Sequence, residues 1–146
     1  MNTASKPRLV HSAILMLVLS LFTLSVARAD SPLEKHMEHM KKAYKELSLG
    51  LENPQESNQA AYVTLAETIK SSALQARDLV PELAAKLPPD QKATMVKSYR
   101  DAMDDFVVSV DGLIKNLKDG KWDEARKDAA NLKNEMRDGH REFRRE

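Results

Sequence analysis

The sequence predicts an all-α fold, an antiparallel up-down-up-down four-helix bundle, and three observations carry that expectation. Its 146 residues are rich in Ala, Leu, Lys, Glu, Asp and Met but include only four glycines, a balance that favours helix over sheet. Proline and glycine divide the chain beyond its first 29 residues into four segments. Along each segment the apolar residues recur every three or four positions, as they do on one face of a helix. Four amphipathic helices on short loops most simply form such a bundle.

The first helix is expected from about Pro32 to Gly50, with Ser31 as N-cap and Pro32 at the first helical position, where its missing N–H costs nothing. Its stripe is Leu33, Met37, Met40, Tyr44, Leu47 and Leu51. Gly50 and the polar run 52–58 end it and form a loop. The second helix is expected from about Asn58 to Val80, before Pro81, with a stripe of Tyr62, Leu65, Ile69, Ala73, Ala76 and Val80. One further turn at 82–86 leads to Pro88-Pro89-Asp90, which opens a third helix reaching Lys118. Met95, Tyr99, Ala102, Phe106, Val110, Leu113 and Leu117 form its stripe. Asp119-Gly120 makes a tight turn, and a fourth helix runs from near Lys121 to the C-terminus. Its stripe, Ala125, Ala129, Leu132, Met136 and Phe143, also takes in His140.

Residues 1–29 read as an address label. Lys6 and Arg8 precede a 14-residue, mostly apolar stretch from Ala13 to Val26, and Ala27-Arg28-Ala29 fits a small-x-small cleavage site. The stretch falls short of the roughly 18 residues a membrane span needs, so the expectation is a cleaved signal peptide at 1–29 and a single domain at 30–146. Removing the leader discards three cations and no acid, taking the formal charge from +1 to −2. That balance points to neither nucleic acid nor an anionic membrane as partner. The absence of cysteine excludes a disulfide framework, a thiolate nucleophile, a Cys-ligated zinc or iron–sulfur site, and thioether-linked haem. No catalytic constellation or phosphate-binding loop stands out, and the protein is expected not to be an enzyme.

An even number of antiparallel helices returns the chain to the end where it began. Met37 and His140 therefore fall at matching levels near that end, each about 8–9 Å in at 1.5 Å per residue. A thioether and an imidazole facing each other there suit the two axial positions of one haem iron. Taken singly, each has a plainer role, Met37 as a core filler and His140 as a cation at a helix C-terminus. A different reading is a copper site in the cluster His36-Met37-Glu38-His39-Met40, whose nitrogen and sulfur donors recur at i,i+3 and i,i+4. A third is a cofactor-free bundle that binds a partner.

The chain resembles the cytochrome b562 family of periplasmic haem bundles. The likeness covers essentially all of 30–144. It rests on Ala29-Asp30 at the cleavage point, the Met37-Glu38-His39-Met40 run, Leu65 with Ala73-Leu74-x-Ala76 before Pro81, Gly120-Lys121-x-x-Glu124-Ala125, and the ending His140-x-x-Phe143-Arg144. The resemblance implies one non-covalent haem b held by Met37 and His140 as iron ligands, with Tyr99 and Met103 packing on it. Met103 departs from the aromatic residue usual there, and Met136 stands where some members carry a basic residue near the propionates, a task open to Arg137, Arg141 or Arg144. It also implies a periplasmic, monomeric electron carrier, with redox proteins as partners and no membrane after leader removal. Gly139, costly in a helix, is expected either to let the haem edge approach or to mark fraying.

Overall fold

A computed structural model describes residues 31–144. Four helices make up the architecture: α1 (Pro32–Gly50), α2 (Gln59–Arg77), α3 (Pro89–Lys118) and α4 (Trp122–Phe143). Short 3-10 turns lie at Glu56–Asn58 and Ala84–Lys86, and the described residues contain no strand. No helix among them is long and apolar enough to cross a membrane. The segment 1–29 read as a leader lies outside the described residues.

Local chemistry sets the helix ends. The Ser31 side chain accepts from the Glu34 N–H at 3.1 Å, and the Glu34 carboxylate accepts from the Ser31 N–H at 2.6 Å, forming a capping box with Pro32 just inside. α3 closes on Gly120, which at φ 66° occupies the left-handed region open to glycine. α2 stops at Arg77, three residues before the expected end. Asp78 caps it, and 78–88 crosses to α3 as a chain of turns with Pro81 and Ala84 buried. Pro81 disfavours helical geometry at Val80 before it, which leaves that side chain 46% exposed instead of on the stripe.

The expected stripes form one core, built on Leu47, Ile69, Val110, Leu113, Leu117 and Leu132. Besides Val80, two stripe positions differ, Ala102 on α3 and His140 on α4, both of them exposed. Ala102 is exposed, and its neighbour Met103 takes the buried place at 8% exposure. Both lie within one residue of the helical repeat from Tyr99, so periodicity alone left the choice between them open.

Hydrogen bonds between helices fix the up-down order. The Gln59 side chain at the start of α2 donates to the Leu117 carbonyl at the end of α3, at 2.8 Å, and the Tyr99 hydroxyl donates to the Ala76 carbonyl at 2.9 Å. Beside that second bond, at the end opposite Gln59, the Leu83 N–H of the α2–α3 connection donates to the Phe143 carbonyl at 3.4 Å. Arg77 and Asp104 add a two-pronged ion pair between α2 and α3, at 2.5 and 2.9 Å. Each helix packs along its length on its successor, whereas α1 and α4 meet only sparsely. The ring of helices thus has one loose seam.

Candidate functional site between α1 and α4

The seam is pinned at one end. The Arg126 guanidinium donates to the Leu51 carbonyl at 3.3 Å, and the Tyr44 hydroxyl donates to the Ala129 carbonyl at 3.0 Å. Antiparallel helices advance in opposite directions at the same 1.5 Å per residue. Fourteen residues back from Leu51 is Met37, and fourteen forward from Arg126 is His140. Counted this way the two donors fall level, about 21 Å from the Leu51–Arg126 contact, and counted from Tyr44–Ala129 Met37 falls level with Met136, so His140 lies within one helical turn of the Met37 level.

Met37 is half-buried and packs against the core. Its neighbour Met40 is 4% exposed and spent in that core, so Met37 is the more accessible thioether of α1. His140 corrects the expectation of an inward, buried histidine, because it is exposed. It lies one turn from the end of α4, where little of α1 covers it. Protein still surrounds the ring enough that desolvation is the first cause lowering its pKa below the ordinary 6.5, followed by the positive charges of Arg144 and of Lys41 on α1. A lowered pKa keeps the imidazole neutral near pH 7, with a ring nitrogen free to bind a metal.

Behind the seam lies a wall of large side chains. Tyr99 and Met103, both on α3, are 3% and 8% exposed. The Tyr99 ring meets Phe143 edge to face, with centroids 5.4 Å apart and planes at 78°. Phe143 is three residues from His140, so Tyr99 backs the turn of α4 that carries the imidazole. Burial pushes the Tyr99 phenol up to about 12, which keeps it neutral while its hydroxyl is anchored on α2. Met136 is half-buried against the same core.

The cluster read as a copper site does not converge. His39 is exposed and lines a shallow groove against α2 with Thr64, Thr68 and Ser72, Met40 is buried, and Met37 is half-buried against the core. His36 is half-buried, with its Nδ1 lacking a hydrogen-bond partner. No group of three or more His, Cys, Asp or Glu suited to a metal occurs among the described residues.

Gly139 stays helical, with the helix continuing to Phe143, so fraying does not explain it. A Cβ added there meets no protein atom within 4 Å.

A thioether and an imidazole within one helical turn of each other's level in a loose seam, backed by an aromatic and thioether wall, fit a flat macrocycle with a metal at its centre. A comparison with curated proteins finds no match. A family model described as Cytochrome b562 matches residues 32–144.

Proposed function

The chain belongs to the cytochrome b562 family and is thereby a helical, haem-binding cytochrome; from that premise we propose a periplasmic electron-transfer protein that holds one haem b non-covalently, with Met37 and His140 as axial ligands. The observation that supports this reading is the register of the α1–α4 seam, in which His140 falls within one helical turn of the level of Met37. When bound, the haem supplies an iron that cycles between the ferric and ferrous states.

The chain's own residues do the rest. Met37 and His140 would hold the iron, a thioether and an imidazole that between them would leave no position for oxygen, peroxide or substrate, so the group would carry electrons and make no bonds. A thioether ligand favours reduced iron relative to a second imidazole and sets a positive potential. Tyr99, Met103 and Phe143 present apolar surface that excludes water, and the Tyr99–Ala76 hydrogen bond fixes that wall in place. With no cysteine in the sequence, ligation and packing alone retain the group. The leader sequence at 1–29 supports the periplasm as its compartment, and redox proteins are its proposed partners, met by a monomer.

Haem titration of the purified protein followed by potentiometry tests the proposal. The expected result is one haem per chain with a potential that falls in Met37→His. A colourless protein, or a potential indifferent to Met37→His, overturns it.

A further inference from the structure

We infer that the outer face of α2 and α3 is a self-docking surface for a second copy of this chain, with the two-fold axis running along the helices so that α2 of one copy lies over α3 of the other. The inference stands apart from the haem reading and needs no cofactor.

The face is a ladder of cross-helix pairs. Glu67 meets Lys118 at 3.3 Å, Lys70 meets Asp111 at 2.7 Å, and Arg77 meets Asp104 at 2.5 Å. Between the last two rungs, counting along the antiparallel helices sets Leu74 level with Val107, and there the rung is apolar. Leu74 is 44% exposed and Val108, the next residue along α3, is 70% exposed. Val108 stands two residues from both Phe106 and Val110 of the core, hence on the opposite, outer side of its helix. The other large exposed apolar side chains among the described residues, Leu49 and Val80, lie at the end of α1 and in the α2–α3 connection, away from this face.

Charge selects what covers the apolar rung. The α2 edge beside it is basic, through Lys70 and Arg77, and the α3 edge is acidic, through Asp111 and Asp104. A two-fold axis lying across the helices sets α2 on α2 and opposes like charges. An axis along the helices sets α2 on α3 of the second copy at the same level. Lys70 then faces Asp111 of the second copy, Arg77 faces its Asp104, Glu67 faces its Lys118, and Leu74 faces its Val108. The touching helices run antiparallel, as α2 and α3 already do within the chain.

The face spans about 15 Å from Glu67 to Arg77 and is two helices wide, less than the roughly 800 Å² per partner of a stable complex. The chain is therefore a monomer when dilute and pairs as its concentration rises. In the ring of helices this face lies across from the α1–α4 seam, so pairing leaves both seams open.

Sedimentation equilibrium of the purified protein up to about 1 mM tests the inference, with the mean mass expected to rise toward that of two chains. Leu74→Asp sets a carboxylate against the acidic edge of the second copy, and Val108→Lys sets an ammonium against its basic edge. Both positions are exposed, so the fold is expected to hold, which far-UV circular dichroism checks. Each variant alone is expected to pair about tenfold more weakly, because like charges now meet. An equimolar mixture of the two recovers pairing, since the new carboxylate of one faces the new ammonium of the other while Leu74 and Val108 still meet at the symmetric contact. A wild type that stays a single chain at about 1 mM overturns the inference, the result expected if a different protein covers the face. So does pairing indifferent to both substitutions, or a mixture that pairs no better than its components, as α2 lying on α2 requires.

Discussion

Replacing Gly139 with alanine separates two reasons for a glycine beside a ligand. An added Cβ meets no atom within 4 Å, and the backbone there is not in the left-handed region, which among described residues only Gly120 occupies. The packing and strain contributions are therefore close to zero, leaving helix propensity, which favours alanine by about 1 kcal/mol. Gly112, exposed in the middle of α3, has the same empty surroundings and serves as the control. Both Gly112→Ala and Gly139→Ala are expected to raise the stability of the haem-free protein by about 1 kcal/mol, a shift of about 4 °C for a domain of this size. Thermal and urea unfolding followed by far-UV circular dichroism measure it. If Gly139 keeps a path clear for the haem edge, Gly139→Ala weakens haem binding while Gly112→Ala leaves it unchanged. Raised stability with unaltered haem affinity in Gly139→Ala refutes the close-approach explanation.

Gly50 presents the opposite case, because a Cβ there falls 2.4 Å from Cε1 of the buried Tyr62 ring; Gly50→Ala is expected to cost about 1–3 kcal/mol in urea unfolding. Tyr99→Phe leaves the Ala76 carbonyl without its buried partner and is expected to cost about 0.5–1.5 kcal/mol by the same measurement. Glu135 is half-buried, its Oε1 accepting from the Ser109 hydroxyl at 2.9 Å and its Oε2 lacking a partner. Desolvation, reinforced by Asp105, raises its pKa above the ordinary 4.5 against the opposing Ser109 hydrogen bond. The folded state thus holds this proton more tightly than the unfolded one, and the associated stability, present below pH 4.5, is lost as pH rises through the folded pKa. Stability measured against pH from 4 to 8 is expected to lose that contribution in Glu135→Gln, and an unchanged profile refutes the assignment.

The bundle was legible because its signals are redundant. Ser31 with Pro32 and Glu34, the stripe through Leu47 and Leu51, and the Asp119-Gly120 turn each point to the same helices, so no single residue had to carry the fold. The misread positions are those where neighbouring choices differ little in sequence. Ala102 and Met103 sit equally well on the helical repeat, and the larger side chain takes the core. Val80 follows the apolar spacing of α2, but Pro81 behind it ends the helix sooner. At the site, the level of Met37 and His140 follows from counting residues along antiparallel helices; the Arg126–Leu51 hydrogen bond gives the same pairing and the Tyr44–Ala129 bond one shifted by a single turn. The exposure of His140 and the approach of Lys41 depend on how loosely α1 meets α4, a property of the assembled bundle that no stretch of sequence encodes locally.

The central claim is that Met37 and His140 together hold the iron. The most direct test is the reduced-minus-oxidised absorption spectrum of the haem-loaded protein, recorded for the wild type, Met37→Ala, His140→Ala and the core control Met40→Ala. The account predicts a sharp Soret band and split visible bands of a six-coordinate, low-spin centre in the wild type and Met40→Ala, with that signature lost in both ligand variants. A low-spin spectrum that survives Met37→Ala or His140→Ala contradicts it.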